Sequence, residues 1–206
     1  MALREQKKEQ TREAIIAAAF GLFERQGFEQ TTVDEIAAAS TVSRRTFFRY
    51  FGTKEAVVFP DRDQRFPRFQ ALLAETQPGE SPFGRVKRAL LALAGDYMSS
   101  REQVRARRRI VDRSPSLQAY DLELDREWEA TIARALLPKR ARKRDRRRAA
   151  LIAGALMGGI RACLETWFAD QCRGDLLALG REAVALLEPG VLATADHEDD
   201  QHHGAD

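Results

Sequence analysis

The spacing of apolar residues predicts an all-helical chain. Over residues 11–28, apolar side chains recur at steps of three and four while charged residues occupy the other positions, which is the period of an amphipathic helix. Gly27 marks the end of this first helix, because glycine commonly follows a helix C-terminus. The repeating apolar positions are Ile15, Ile16, Ala19, Leu22 and Phe23.

Short helices are predicted next along the chain. Thr32 and Glu35 have the spacing of a capping box, which predicts the start of a second helix. Ser43 is a suitable N-cap for a third helix over residues 44–51, and Thr53 for a fourth. Two short helices joined by a turn of three or four residues form a helix-turn-helix unit, whose second helix enters the major groove of DNA.

Longer helices are predicted in the second part of the chain. Apolar-rich stretches indicate helices over residues 145–171 and 175–188, and Pro189 is expected to end the fold. Residues 193–206 are acidic and poor in large apolar groups, which predicts a disordered tail. Two other helix starts pair an N-cap serine with a proline at the first helical position, and these are Ser81-Pro82 and Ser114-Pro115.

Overall composition narrows the setting but does not identify a partner. A formal net charge of +3 is too mild to establish nucleic-acid binding, so the positions of the charges matter more. Two cysteines, Cys163 and Cys172, and a start without an apolar leader favour a reducing cytoplasm. The longest apolar run, residues 149–160, is shorter than the roughly 20 residues of a membrane helix and is interpreted as a buried core helix.

The third helix has two chemically different faces. At about 100° per residue, Phe47, Phe48 and Phe51 share one arc that can pack on the first two helices. The opposite arc carries Arg45, Thr46, Arg49 and Tyr50, and residues 41–54 include four basic residues and no acidic one. This is a local positive charge suited to phosphates, although a basic helix without such a setting is more often an ordinary solvated face.

Specific DNA contacts are predicted from the chemistry of these side chains. The arginine fork can bond guanine O6 and N7 together, so Arg44 and Arg45 are candidate base readers. Thr46 is a candidate contact to a thymine methyl group. Phosphate contacts are expected from Thr32, Ser43, Arg49, Tyr50 and Lys54.

Residues 31–55, which read TTVDEIAAASTVSRRTFFRYFGTKE, resemble the signature of TetR/AcrR regulators. The resemblance extends over about residues 10–58. It implies a transcription regulator, usually a repressor, with a three-helix DNA-binding domain at residues 1–55. It also implies an effector-binding and dimerisation domain at residues 56–192, with about nine helices in the whole chain. The operator is expected to be roughly palindromic, and a small-molecule effector is expected to release the protein from it.

Two residues depart from the family pattern. Thr41 stands where the family usually has glycine, and a β-branched residue resists a positive φ, so the turn is expected to be strained or to adopt another geometry. Phe48 stands where tyrosine is common, which removes a hydroxyl group that Tyr50 can replace. Pro60 and Pro67 fall where the family has the helix that links the DNA-binding domain to the effector-binding domain. They predict that this helix is split.

Glycines inside the helix over residues 145–171 suggest close helix packing, since each costs about 1 kcal/mol relative to alanine. These are Gly154, Gly158 and Gly159. The resemblance implies that the last two helices form a four-helix bundle with a second copy, whereas packing within one chain is the alternative.

The effector site is the least defined prediction. Residues 107–117, together with two tryptophans, resemble an actinobacterial subgroup whose C-terminal domain is thought to bind molecules similar to acyl-coenzyme A. Arg109 and Arg161 are candidates to counter an anionic group. The alternatives are surface ion pairs, an Arg161–Glu165 pair within one helix, and ordinary core aromatics. The candidate lining of an apolar cavity is Tyr97, Trp128, Met157 and Trp167.

Other function classes have little support in the sequence. The three histidines lie in the predicted tail, and the chain has no glycine-rich phosphate loop, CxxC pair or metal-spaced carboxylate cluster, so no enzyme, cofactor or metal site is predicted. A basic stretch at residues 139–148 is interpreted as solvated rather than as a second nucleic-acid site. A nucleoid protein without sequence specificity is the remaining alternative.

Overall fold

The computed structural model describes residues 2–196, and these residues form ten α-helices and no strand. The all-helical prediction is confirmed, with one helix more than the roughly nine expected. The helices are α1 (Ala2–Gln26), α2 (Val33–Ala39), α3 (Arg44–Tyr50), α4 (Lys54–Val58), α5 (Arg62–Ala74), α6 (Pro82–Ser99), α7 (Arg101–Val111), α8 (Pro115–Ala135), α9 (Lys143–Ala169) and α10 (Leu176–Asp196).

Helix starts were predictable where a side chain caps the backbone. The Oγ atom of Ser81 accepts from Gly84 N, and that of Ser114 accepts from Leu117 N at 3.2 Å. Each cap satisfies a backbone N–H that has no partner inside its helix. The linker is split as predicted, because Pro60 lies between α4 and α5, whereas Pro67 lies within α5.

The predicted end of the fold at Pro189 was wrong. Pro189 lies inside α10, which continues to Asp196. Proline removes one backbone hydrogen bond, but the Pro189 side chain is exposed, so its ring displaces no core packing. Residues 193–196, predicted as part of a disordered tail, are therefore helical, and residues 197–206 of that tail lie outside the described residues.

The chain divides into two compact units. The N-terminal unit contains the residues up to Gln64 together with Glu102–Glu123, and the C-terminal unit contains Arg65–Arg101 together with the residues from Leu124 onward. Helix α7 and the first part of α8 thus belong to the same unit as the short N-terminal helices. The functional boundaries proposed at residues 1–55 and 56–192 stay a prediction.

The core of the N-terminal unit is built from the predicted apolar face of α1. Ile15 and Ala19 are fully buried, and Phe23 is 4% exposed. They are joined by side chains from the other helices of the unit, each of which contributes about 1.5–3 kcal/mol when fully buried. These include Ile36, Phe47, Phe51, Val57, Val58, Val104, Ile110 and Leu117.

The C-terminal unit has its own hydrophobic core. Trp128 stacks on Phe69 with ring centroids 4.8 Å apart, and its ring edge meets Phe66 at 5.3 Å. Helix α10 packs mainly against α9 and α6. The buried cluster includes Phe69, Phe83, Val86, Leu93, Ile132, Leu156, Met157 and Val184.

The turn between α2 and α3 contains a strained residue. Thr41 has φ of +56°, in the left-handed region that favours glycine. Val42 N donates to Ala37 O at 2.9 Å and Thr41 N donates to Ala38 O at 3.1 Å, which is the hydrogen-bond pattern of a Schellman motif. The turn therefore keeps the geometry that glycine would adopt, and a β-branched residue occupies its left-handed position.

Replacing Thr41 with glycine should stabilise the protein. Relief of the left-handed strain is worth about 1–2 kcal/mol, and the greater freedom of glycine in the unfolded chain offsets about half of it. We expect Thr41→Gly to raise the free energy of unfolding by about 0.5–1 kcal/mol in urea denaturation. Thr41→Val, which keeps the branched side chain, is the control and should give no gain. An unchanged or lower stability of Thr41→Gly would contradict the strain.

Candidate nucleic-acid interface

Two side chains anchor α3 to the N-terminal unit. Phe47 is fully buried and Phe51 is 4% exposed, with their ring centroids 6.0 Å apart. Both lie on the arc predicted to face the core. Because these rings fix the rotation of α3 about its axis, the opposite face of the helix is held toward solvent.

Phe48 does not belong to the core, which corrects the sequence-based expectation. Its side chain is 43% exposed, and its ring contacts that of Phe47 in the buried arc at 5.4 Å between centroids. One helical step rotates a side chain by about 100°, which carries Phe48 to the edge of that arc. The guanidinium carbon of Arg44 lies 5.6 Å from the centre of its ring.

The two candidate base readers have different surroundings. Arg44 Nη1 lies 2.9 Å from Asp34 Oδ2 and 3.1 Å from Asp34 Oδ1, so this arginine links the start of α3 to α2. Arg45 is exposed, and no carboxylate among the described side chains pairs with it. Arg45 is therefore the arginine at this helix start whose hydrogen-bond donors are available to a base.

Asp34 is the residue of this site that sequence reasoning missed. Its exposed ion pair with Arg44 joins residues ten positions apart across the turn. Residues ten positions apart do not come into contact within one helix or one strand, so the folded turn is what brings the two groups together. An exposed pair contributes about 0.2–1 kcal/mol, so Asp34 orients Arg44 rather than holding the fold.

Thr32 and Ser43 act as helix caps. Thr32 Oγ1 accepts from Glu35 N at 3.2 Å and donates to Glu35 Oε2 at 2.8 Å. The hydrogen bond from Thr32 N to the Glu35 carboxylate is the main cause that lowers the pKa of Glu35. Ser43 Oγ accepts from Thr46 N at 3.0 Å and lies 2.9 Å from Thr46 Oγ1. Both hydroxyl groups are thus engaged within the protein.

Arg49 and Tyr50 remain on the outer face of α3. Arg49 is exposed, and its guanidinium carbon lies 5.4 Å from the centre of the Tyr50 ring. Tyr50 is half-buried, as is Thr46. The structure thus brings Arg45, Arg49 and Tyr50 together on the face predicted to approach DNA.

Lys54 holds a loop of the N-terminal unit. Its Nζ donates to Phe28 O at 2.7 Å and to Thr31 O at 2.8 Å, and it lies 4.0 Å from the centre of the Phe28 ring. These contacts tie the start of α4 to the segment between α1 and α2. The carbonyl groups lie 26 and 23 residues earlier in the chain, so the local pattern could not reveal them.

A second attachment of the same loop runs through Glu29. Ser114 Oγ donates to Glu29 Oε1 at 2.6 Å, and Ser116 Oγ donates to the same oxygen at 3.2 Å. The hydrogen bond from Ser114 is the largest cause of a lowered pKa at Glu29. The residue that caps α8 thus also anchors the loop ahead of α2.

The candidate effector residues are not gathered in one place. Tyr97 lies beneath the Arg65 guanidinium, whose carbon is 3.9 Å from the ring centre. Arg161 bonds Asp125 at 3.0 Å, not Glu165 of its own helix. Trp167 is 1% exposed and donates from Nε1 to Gly174 O at 2.8 Å. Of the remaining three, Trp128 and Met157 belong to the core of the C-terminal unit, and Arg109 lies in the N-terminal unit beside Glu24.

Comparison with known proteins identifies the family. Residues 15–59 match the model of the bacterial regulatory proteins of the tetR family, and residues 80–192, more than half of the chain, match the MftR C-terminal domain. The chain belongs to the TetR family of bacterial regulatory proteins. The resemblance inferred from residues 31–55 is thereby confirmed.

Individual relatives support the TetR-family assignment over different lengths. The chain is 36% identical over 140 residues to the HTH-type transcriptional regulator TcmR of Streptomyces glaucescens, covering 65% of this chain and 62% of that protein. It is 29% identical over 166 residues to the putative mycofactocin biosynthesis transcriptional regulator MftR of Mycobacterium tuberculosis. This match covers 81% of this chain and 84% of MftR.

A solved structure shares the TetR fold. The FadR repressor of Thermus thermophilus, in complex with lauroyl-CoA, superposes with a TM-score of 0.51 at 24% identity. The match covers 85% of this chain and 92% of FadR. At this level of identity the likeness concerns the fold alone.

Removing the ammonium group of Lys54 should destabilise this TetR-family chain. Lys54→Met keeps the length of the side chain but leaves two carbonyl groups without their charged donor, which costs about 1–3 kcal/mol of unfolding free energy. Urea denaturation measures the loss, and Lys8→Met, at an exposed position of α1, is the control. Unchanged stability together with a shallower salt dependence of DNA binding would instead assign Lys54 to a phosphate.

Proposed function

We propose that this protein is a dimeric transcription repressor that binds a palindromic operator and is released by a small-molecule effector. The observation that carries the proposal is the exposed basic face of α3, held outward by the burial of Phe47 and Phe51 on the opposite face. Family membership supports the same function. DNA binding also implies a cytoplasmic location.

Roles on the DNA follow from the position of each side chain. Arg45 is the proposed base reader, because it is exposed and its planar fork suits guanine. Arg44 is proposed to contact a phosphate, because Asp34 already orients its side chain. Arg49 is also proposed to contact a phosphate. Thr32, Ser43 and Lys54 are proposed to support the interface through the capping and loop contacts described above rather than by binding phosphates directly.

Substitution of Arg45 should relax sequence specificity. We expect Arg45→Ala to cost about 1–3 kcal/mol of binding free energy on the preferred operator and to flatten the preference at one base pair in each half-site. The operator is first selected from random double-stranded DNA, and affinities are then compared at fixed salt concentration.

Arg140→Ala is the matched control, because Arg140 is also exposed but lies in the α8–α9 connection. The affinity of the Arg140→Ala variant for the operator should match that of the wild type. If the wild-type protein selects no palindrome and binds all duplexes alike, the chain is a nonspecific DNA-binding protein and the operator proposal fails.

Support for a dimer comes from an apolar face on α9 that the chain leaves exposed. Leu151 is 69% exposed, and Ala155, Gly158 and Ala162 are exposed at steps of four, three and four from it. Helix α9 is long and apolar enough to cross a membrane, but core helices of other proteins also meet this criterion. Only 22% of its most apolar 18-residue segment is buried within the chain. A second protein surface would cover this face.

Helix α10 extends the same kind of surface. Leu186 is 76% exposed, and Ala185 beside it is also exposed. Apart from its chain neighbours and the backbone of its own helix, a methyl group at Gly158 would meet no described atom within 4 Å, so packing within the described part of the chain does not require glycine there. Two helices packed as a pair, each with an exposed small-residue or leucine face, suit a four-helix bundle with a symmetry mate.

Charge on this face should separate the subunits. In a two-fold interface each substitution occurs twice, so Leu151→Glu removes two leucines, worth about 1.5–3 kcal/mol each when buried, and adds two charges. We expect the dimer dissociation constant to rise at least about 100-fold in sedimentation equilibrium, since each 1.4 kcal/mol is a factor of ten.

Leu122→Glu provides the control for that experiment, because Leu122 is a 51% exposed leucine of α8 outside this surface. It should leave the sedimentation profile unchanged. A wild-type protein that sediments as a monomer at all concentrations would refute the dimer.

The effector is proposed to resemble an acyl-coenzyme A. This class is suggested by the resemblance of residues 107–117 to an acyl-coenzyme-A-binding subgroup, and FadR, which shares the fold, forms a complex with lauroyl-CoA. Trp128 and Met157 supply apolar surface in one cluster, and Arg161 lies on the same helix as Met157. Tyr97 and Trp167 are retained as candidates although each already has a partner within the C-terminal unit.

A further inference from the structure

A cleft of about 380 Å³ opens in the N-terminal unit at the ends of α1 and α7. Its apolar lining consists of Phe23, Phe28 and Ile110, each at most 5% exposed. The ring centroids of Phe23 and Phe28 lie 5.1 Å apart, with the ring planes tilted by 54°. A volume near the lower end of the usual range for ligand sites suits a small molecule rather than a large cofactor.

The rim of this cleft is positively charged. Three arginines, Arg25, Arg109 and Arg113, line it together with a single carboxylate, Glu24. The C-termini of α1 and α7 each contribute a partial charge of about −0.5, which lowers the excess of two positive charges but does not cancel it. Such a rim above an aromatic floor favours an anion that also has an apolar part.

One of the three arginines pairs with a described carboxylate. Arg109 Nη2 bonds Glu24 Oε1 at 3.1 Å, and the two side chains are 54% and 50% exposed. Among the side chains that the structure describes, no carboxylate pairs with Arg25 or Arg113. An exposed ion pair of this kind is weak, so a ligand anion can replace Glu24 as the partner of Arg109.

We propose that this cleft binds a small organic anion. Its carboxylate or phosphate group is bonded by Arg109 and Arg113 of the α7 end, and its apolar part lies on Phe23 and Phe28. Glu24 competes with the ligand for Arg109. This site goes beyond the proposed function, because five of the six candidate effector residues lie in the C-terminal unit and only Arg109 lines the cleft.

The proposal is tested by titration calorimetry on the full chain without DNA. Phenyl phosphate and benzoate are the probes, and the tighter of the two identifies the anionic group. Inorganic phosphate should bind more weakly than phenyl phosphate, because it cannot use the aromatic floor. Equal affinity for the two phosphates would overturn the apolar half of the site, and no binding of any probe at millimolar concentration would overturn the whole proposal.

Variants of opposite sign locate the binding. Glu24→Gln frees Arg109 and should tighten binding about twofold to fivefold, whereas Arg113→Gln should weaken it about twofold to fivefold, as expected for charge effects of about 0.4–1 kcal/mol. Glu13→Gln on α1 and Arg101→Gln on α7 make the same charge changes at other exposed positions and should leave the affinity unchanged.

Several results would count against the site. Equal effects of Glu24→Gln and Glu13→Gln would show a response to overall charge and overturn it. If Arg113 only caps its helix, Arg113→Gln lowers the melting temperature without changing the affinity, and the proposed contact is wrong. Because DNA is absent from these titrations, their failure leaves the operator proposal standing.

Discussion

Burial of Phe47 and Phe51 is the constraint on which the DNA-binding surface depends. A seven-residue helix has almost no stability of its own, because helix nucleation costs more than a few hydrogen bonds return. Helix α3 is therefore held by tertiary packing. The same packing sets its rotation, so the side of the helix that carries Arg45 and Arg49 faces solvent for the same reason that the phenylalanines do not.

Polar contacts then fix the segments around α3. Ser43 caps its start, and the Schellman turn at Thr41 sets the direction in which the chain leaves α2. Lys54 attaches the loop between α1 and α2 to α4, and Glu29 attaches the same loop to the start of α8. Several modest interactions thus hold the recognition surface in place. The strained backbone of Thr41 opposes them.

The C-terminal unit presents a different physical problem. Its core contains Phe69, Trp128 and their neighbours, yet α9 and α10 still expose leucine and small side chains. Contiguous exposed apolar patches commonly mark sites where a protein partner binds. In the proposed dimer this surface would hold the two copies together.

The amino-acid sequence alone determined most of the helices and their caps. Helical periodicity, capping residues and the TetR-like segment are local properties, so Thr32, Ser43, Ser81 and Ser114 could be assigned without a structure. Local reasoning failed at Pro189, where a helix continues through a proline at an exposed position. It also failed at Phe48, because the width of a buried arc depends on what packs against it.

Only the tertiary structure decided which of the basic residues are engaged. Arg44 and Lys54 carry the same charge as Arg45, but they bond to Asp34 and to two distant carbonyl groups. The cleft at the ends of α1 and α7 likewise combines residues about 85 positions apart in the chain. Such contacts depend on chain topology rather than on periodicity, so the sequence specifies them only through the complete fold.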